Sequence, residues 1–384
     1  MSSNISHVVI IVLGDLGRSP RMQYHAEMFS SQKSISRVTF IGYKGERSIK
    51  SLEESDKVVF KTFELLELNA LFENLFGLYI AKKLNFLRVV IKGIFCLLSL
   101  IFYLLIIPKY EVVLIQNPPC IPALISTLVV SLFRWNSIWV DWHNLGFTMF
   151  KYDSYIARFS KLLERHLAKF CSVHFCVSNA LGEWLLKEFN ISAKVLYDRP
   201  SKRFDKNQIS IQSRHELLLK LNLIDSELFK SDLSDSSTSF KEGSYTIQTY
   251  TDKNGQTVIR EDATRIVFSS TSWTEDEDFH LLSKTLCKLD KILRANLNKY
   301  GPNKYQSSKV LIVITGKGPL KEEFLNEYNQ IAPNLKMVAV VTPWLEPHEY
   351  PKIIKCSDIG VCLHGSTSGL DLPMKVIYIF LIYI

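Results

Sequence analysis

The sequence predicts an α/β protein of two parallel-sheet lobes, and three features predict it. Strand-like and helix-like segments alternate along the whole chain. The strand-like segments are continuous apolar runs, as strands covered on both faces should be. Two of them, HVVIIVL (7–13) and KVLIVIT (309–315), run straight into glycine-containing turns, GDLGRSP (14–20) and GKGP (316–319). With 384 residues and 47% hydrophobic residues, the chain can bury the cores of two ordinary domains.

In the first lobe, the helix RMQYHAEMFSSQ follows the first turn. RVTFIGY (37–43), VVFKTFEL (58–65), EVVLIQNPP (111–119) and SIWVDWHN (137–144) read as further strands. Residues 155–170 form an amphipathic helix whose stripe Tyr155, Phe159, Leu162, Leu163, His166 and Phe170 is expected to face the core. SVHFCVSNA (172–180) reads as a strand and a helix cap at Ser178 or Asn179, and KVLYDRP (194–200) closes the lobe.

Residues 231–262 are polar and rich in Ser, Thr, Asp and Gly. They read as an exposed insertion without catalytic duty, with a small hairpin around Asn254-Gly255. TRIVFSSTSW (264–273) opens the second lobe. A helix near 276–297 follows, then the helix LKEEFLNEYNQI with Pro319 at its first position. The strands LKMVAVVTPWL (335–345) and DIGVCLH (358–364) come next. A last helix is expected from SGLDLPMK onward. The expected division is 1–205, a linker 206–262, and 263–384.

The net charge of +8 suits anionic partners, but no Lys/Arg run with interleaved aromatics marks a nucleic-acid surface. Seven cysteines without a CxxC pair argue against a disulfide framework or a zinc site and fit a reducing compartment. The sequons at Asn4 and Asn190 would then go unused. Residues 86–108 hold the apolar run Val89–Ile107, which has Lys92 as its single charge and is preceded by Lys82, Lys83 and Arg88. They are expected to contact a membrane. A full span would carry the following strand across the bilayer and split the lobe.

Ligands of open α/β sheets bind at strand C-terminal ends. In the first turn Gly14 and Gly17 let backbone approach a ligand, Asp15 is the lone carboxylate, and Arg18 and Arg21 can meet phosphate. The turn is not G-x-G-x-x-G, so a nicotinamide cofactor is not indicated. Gly316, Lys317 and Gly318 suit a diphosphate but lack the Walker spacing. In HGSTSGLDLPMK (364–375), Ser366, Thr367 and Ser368 offer hydroxyls and amides ahead of a helix N-terminus, and Asp371 and Lys375 share a helix face. Asp141 and His143 of DWHN are candidate bases.

Together, HVVIIVLGDLGRSPRMQYHA, QNPP, DWHNLGFT, ERHLAKF, FCVSNAL, YDRP, SSTSWTEDEDF, ITGKGPLKEEF and GVCLHGSTSGLDLPMKV resemble the ordered motifs of the chitobiosyldiphosphodolichol β-mannosyltransferase family, glycosyltransferase family 33. The resemblance runs from residue 7 to about 377. It implies a GT-B fold of two Rossmann-like lobes facing a cleft. It implies GDP-mannose as donor, a dolichol-diphosphate-linked chitobiose acceptor, and action on the cytosolic face of the endoplasmic reticulum membrane, beside other lipid-linked oligosaccharide transferases. It places Ser269, Ser270, Thr271, Gly316, Lys317, Gly318, Ser366, Ser368, Gly369, Asp371 and Lys375 on the donor side. Gly14, Gly17, Arg18, Arg21 and Asp141 then belong to the acceptor lobe, with Asp15 or His143 as base. No cofactor and no metal ligand is implied.

Three departures accompany it. The family begins with a membrane anchor, whereas six residues precede the first strand here, so attachment is expected at 86–108. Tyr378 stands where the family has an acid. The second lobe is expected to be incomplete after Ile384. Two other readings keep the fold: a transferase for a different lipid acceptor, and a truncated, non-catalytic membrane-bound partner.

Overall fold

The structure, a computed structural model, describes residues 5–64, 85–119, 121–150, 154–199, 204, 207–224, 228, 245–301, 309–346, 348–373 and 376. The chain divides into two compact units. One is Met1–Asp198 with Thr367–Leu372; the other is Arg199–Ser366 with Pro373–Ile384.

The first unit is built on a seven-stranded sheet. Its strands are β1 (His7–Asp15), β2 (Arg37–Tyr43), β3 (Val58–Phe63), β4 (Val112–Asn117), β5 (Ser137–Trp142), β6 (Val173–Cys176) and β7 (Lys194–Val195), in the order β3-β2-β1-β4-β5-β6-β7. Every neighbouring pair is parallel. Successive β1 residues separate onto opposite faces, as the two-residue period of a strand requires. Val9 and Ile11 join one core, Val8 and Ile10 the other. The helix α1 (Pro20–Ser31) covers the second face with Met22 and Ala26.

The first face is covered by α2 (Asn85–Ile106) and α3 (Ile121–Arg134), packed side by side, with α4 (Tyr155–Leu167) against α3. The apolar segment 86–108 therefore contributes to a sheet-covering layer: Cys96, Leu100 and Leu104 reach the core. Among the described residues no helix is long and apolar enough to cross a membrane. The outer side of α2 is apolar as well, with Ile94, Leu98 and Phe102 exposed.

Helix α4 departs from expectation. Its stripe Tyr155, Phe159 and Leu162 is exposed, while Ala157, Ser160 and Glu164 are buried. The reason is local. Glu164 Oε1 accepts the Gly146 backbone N–H at 2.9 Å, and a Cβ on Gly146 would lie 2.2 Å from that oxygen. This buried bond, which would be lost if the helix turned Glu164 outward, fixes which side of the helix faces inward. The Ser178 cap of α5 (Asn179–Trp184) is as expected, its side chain accepting from the Leu181 backbone N–H, and the π-helical turn α6 (Leu185–Phe189) follows.

The second unit has a four-stranded parallel sheet of β10 (Arg265–Ser270), β11 (Val310–Thr315), β12 (Val338–Val341) and β13 (Ile359–Gly360), ordered β12-β11-β10-β13. Helices α8 (Phe279–Tyr300), α9 (Lys321–Ile331) and α10 (Tyr350–Cys356) flank it, and α7 (Ile211–Lys220) precedes it. Between α7 and β10 lies the hairpin of β8 (Thr249–Thr251) and β9 (Thr257–Ile259), turning at Gly255 with φ +78. Of the stretch read as an exposed insertion, residues 231–244 lie outside the described residues. The rest is not simply exposed: Thr246, Ile247, Gln248, Thr249 and Arg260 are buried. Their polar groups are matched, Thr246 Oγ1 with Thr249 and Gln248 Nε2 to the carbonyl of Thr264, which makes a polar strand tolerable inside the unit. Helix α9 begins at Lys321, with Pro319 just ahead of it.

Two leucines of α2 test its role in the core. Leu100 is 0% exposed and Leu98 58%. Leu100→Ala is expected to cost about 3 kcal/mol in urea unfolding and Leu98→Ala under about 0.5 kcal/mol. Equal costs would contradict the packing.

Candidate active site

At the C-terminal end of β5, Asp141 is 0% exposed and gathers three cationic or ring groups. Arg21, from α1, donates through Nε and Nη2 to the two carboxylate oxygens at 2.7 and 2.8 Å. His25, one turn further along α1, lies with Nε2 2.9 Å from Oδ2. His143 lies with Nε2 3.1 Å from the same oxygen. Burial alone would push the Asp141 carboxyl up. The charge that His143 carries when protonated, and the hydrogen bonds from His143, His25 and Arg21, hold it well below the usual carboxylate range. An ionised carboxylate only accepts, so both histidines must carry their proton on Nε2. That leaves His143 Nδ1 as the accepting nitrogen, on a side chain 22% exposed.

Arg21 corrects the expectation of a phosphate-facing cation. It is buried, and its remaining Nη1 donates to Asp198 at 2.7 Å and to the Leu196 carbonyl at 2.8 Å. Desolvation would lower its pKa; the bonds and charges of Asp141 and Asp198 outweigh it and raise it. Four of the five N–H donors of this guanidinium are taken by protein acceptors, so it is a structural tie rather than a phosphate-facing cation. Asp141 stands at the end of its strand as expected, but it is a buried anchor rather than an open base.

In the first turn, Asp15 is spent on loop structure. Its carboxylate accepts from the Gly17 backbone N–H at 2.9 Å and from that of Glu46 at 3.0 Å. Gly17 is required because a Cβ there would lie 2.4 Å from the Glu46 carbonyl oxygen. Gly14, by contrast, has its nearest atom at 3.7 Å. Arg18 is exposed, 3.3 Å from Glu46 and 3.5 Å from Asp15.

The second unit brings the Gly-Lys-Gly turn and the start of the HGSTSG stretch onto one support, the loop 271–277. A Cβ on Gly316, which has φ +134, would lie 1.8 Å from the Thr271 carbonyl oxygen; one on Gly318 would lie 1.8 Å from that of Ser272. Both glycines thus admit protein backbone, where the sequence suggested a ligand. Glu277, buried, accepts from the backbone N–H groups of Ser272 and Trp273 at 3.1 and 3.0 Å and from the Thr271 hydroxyl. Asp276 Oδ2 lies 2.8 Å from His364 Nδ1, and its carbonyl accepts the Gly365 N–H at 2.6 Å. Burial pushes the Asp276 carboxyl up, but bonds from Thr274 and His364 leave it below its ordinary value.

Three expected donor-side hydroxyls are therefore not presented as such. Ser269 is buried with no partner for Oγ among the described residues, Ser270 bonds Tyr350, and Thr271 is held by Glu277. Lys317 is exposed, its ammonium 3.8 Å from the ring centroid of Trp344, a cation–π contact that orders it.

Of the last motif, Ser366 belongs to the second unit and Thr367–Leu372 to the first. Within the first unit, Thr367 Oγ1 lies 3.2 Å from Asn144 Nδ2 and 3.1 Å from Thr148 Oγ1, and Ser178 Oγ donates to the Leu370 carbonyl. DWHN and the serine-rich motif are thus brought together. Ser368 Oγ accepts the Leu370 N–H at 3.2 Å, and Gly369 sits at φ +71. Asp371 lies in irregular backbone, so the expected helix-face pair with Lys375 is not formed as a helical pair at its first member; Lys375 and Tyr378 lie outside the described residues. Sequence reasoning assigned no role to His25, Asp198, Asp276, Glu277 or His364. YDRP carried a signal for Asp198, while TEDEDF reads as a solvated acidic run.

Two tests follow from this geometry. Asp141→Asn removes one of the two carboxylates that pair with the buried Arg21 and is expected to lower stability by about 3 kcal/mol, read from the denaturant midpoint. Because the folded carboxyl is depressed, its contribution is fully present above the unfolded value of about 3.9 and fades as pH falls toward the folded value. The wild type should therefore lose its advantage over Asp141→Asn below about pH 4, and a constant difference would contradict the cluster. Gly316→Ala is expected to cost about 3 kcal/mol or more from collision and positive φ, and Gly14→Ala within about 0.5 kcal/mol; equal unfolding midpoints would reject the close backbone approach.

No protein-family profile matches the chain. Among curated proteins, it is 32% identical over 399 residues to the chitobiosyldiphosphodolichol beta-mannosyltransferase of Dictyostelium discoideum, covering 98% of this chain and 76% of that one. It is 34% identical over 381 residues to the Mus musculus protein of the same name, covering 97% and 73%. A UDP-glycosyltransferase of Arabidopsis thaliana, TURAN, is 31% identical over 394 residues, covering 97% and 79%. Among solved structures, Anabaena HepE in complex with UDP-glucose matches with a TM-score of 0.56 at 12% identity, over 98% of this chain and 78% of that one. That likeness shows the fold, which is of the GT-B glycosyltransferase type. At 32 to 34% identity, over nearly all of this chain and about three quarters of each mannosyltransferase, the chain belongs to the chitobiosyldiphosphodolichol β-mannosyltransferase family.

Proposed function

We propose that this chain transfers mannose from GDP-mannose to the chitobiose of a dolichol-diphosphate-linked precursor, forming a β-1,4 bond with inversion. The place of action in this reading is the cytosolic face of the endoplasmic reticulum membrane. The single observation that carries the chemistry is His143 held by the buried Asp141, with Nδ1 left to accept a proton. In the transfer the acceptor hydroxyl oxygen bonds to the anomeric carbon of mannose from the face opposite the phosphate. The bond from that carbon to the phosphate oxygen breaks, and GDP leaves with the electron pair. The hydroxyl proton passes to His143 Nδ1, and Asp141 stabilises the imidazolium that results. Asp15 is the weaker candidate for base, because its oxygens already accept backbone N–H groups.

On the donor side, the reading assigns Lys317 and the amides of the Gly316–Gly318 turn to the diphosphate. The anchoring of that turn and of Gly365 on loop 271–277 supports it, since donors fixed in advance need no reorganisation when charge develops on the leaving group.

The test is transfer by the full chain in detergent, with GDP-mannose and a chitobiosyl-diphospho-lipid. A trisaccharide lipid is expected; transfer from UDP-glucose or UDP-N-acetylglucosamine in its place would overturn the donor assignment. His143→Ala should lower kcat by about a hundredfold to ten-thousandfold with donor KM nearly unchanged. Lys317→Ala should chiefly raise donor KM. A His143→Ala enzyme with wild-type kcat would remove the base assignment.

A further inference from the structure

Helix α4 and the turn after it are inside out. Tyr155, Phe159, Leu162 and Phe170 recur at three- to eight-residue steps along one side, and all are exposed, Tyr155 to 90%. Ala157, Ser160, Glu164 and Ala168 line the opposite, buried side. Charge is inverted too. Glu164, the sole acidic residue between Tyr155 and Phe170, is buried at 0% exposure. Arg158, Arg165 and Lys169 are exposed along the border of the apolar stripe. The solvent side of this helix thus presents aromatic and aliphatic side chains edged by cations, with no carboxylate. An apolar stripe of this size outside a core marks a contact surface.

We infer that this face is an interfacial helix that lies on an anionic lipid bilayer, with Tyr155, Phe159 and Leu162 entering the headgroup–acyl boundary and Arg158, Arg165 and Lys169 meeting lipid phosphates and carboxylates. Two observations select a bilayer over a protein partner. The first is the one-sided charge, which complements an anionic surface. The second is the extent of the apolar layer. Helix α3, packed beside α4, exposes Leu132 and Phe133 outward, and α2 beside it exposes Leu98 and Phe102. Three adjacent helices on one face of the sheet offer a broad surface rather than a groove for a peptide. The inference deepens the proposed function, because a lipid-linked acceptor is met at a membrane, and it takes its biological sense from that reading. The experiment uses neither donor nor acceptor, so either reading can fail alone.

The full chain is floated with vesicles of phosphatidylcholine, and with vesicles in which part of it is replaced by phosphatidylserine. Stronger binding to the anionic vesicles is expected. Arg165→Gln/Lys169→Gln should weaken it on the order of twentyfold, since each basic side chain at an anionic surface contributes a factor of about five. Tyr155→Ser/Phe159→Ser should weaken binding to both vesicle types. All four positions are exposed, so unfolding midpoints should stay at the wild-type value, which separates lost docking from lost folding. Unchanged vesicle binding by both double variants overturns the inference. So does self-association of the wild type, seen by sedimentation without lipid, that Tyr155→Ser/Phe159→Ser abolishes while vesicle binding persists.

Discussion

One buried guanidinium holds the first unit together at its functional edge. Arg21 leaves α1 and bonds to Asp141 at the end of β5 and to Asp198 and Leu196 just after β7. These elements are far apart in sequence, and a single cation, bidentate on Asp141, ties the interior strand β5 to the segment after the last strand. Two carboxylates and a carbonyl use its donors on both sides, which makes the burial of a charge tolerable. The same Asp141 then fixes the tautomer of His143. Stability and candidate chemistry therefore draw on one carboxylate. A replacement there should disturb both, whereas His143 lies at the open rim and can be changed with less structural consequence.

Much of the fold could be read in the chain because buried parallel strands are nearly continuous apolar runs. HVVIIVL, RVTFIGY and KVLIVIT appear as strands with bounds close to those expected. The site was less legible, for definite reasons. Arg21 reads as a surface charge because arginines usually are; only the pairing with Asp141 and Asp198, over a hundred residues away, justifies its burial. Gly316 and Gly318 read as ligand-approach glycines, yet the backbone of Thr271 and Ser272 occupies the space beside them. A glycine-rich turn states that something comes close and not what comes close.

Periodicity failed in an instructive way at α4. A strong apolar stripe at helical spacing says that the stripe wants a partner; it does not say that the partner is the protein's own core. Here the inward side is chosen by Glu164, which has a backbone N–H to accept from Gly146, and by small residues that let the helix lie close. Turning Glu164 out would leave the buried Gly146 N–H without its acceptor, so this side keeps the interior.

Helix α2 shows why apolar length alone cannot decide between covering and crossing. From Gly93 to Ile106 its residues are almost all apolar, which a bilayer would accept. Yet β4 begins at Val112, only a few residues after Ile106, and pairs with β1 on one side and β5 on the other. Drawing α2 across a membrane would either pull β4 from the sheet centre or leave the core around Leu100 and Leu104 without its cover. Both losses exceed what a second apolar face could return, since that face can meet lipid while the helix stays in place. The helix is therefore held to the sheet by its inner residues, and its outer residues are left to whatever surface the layer rests on.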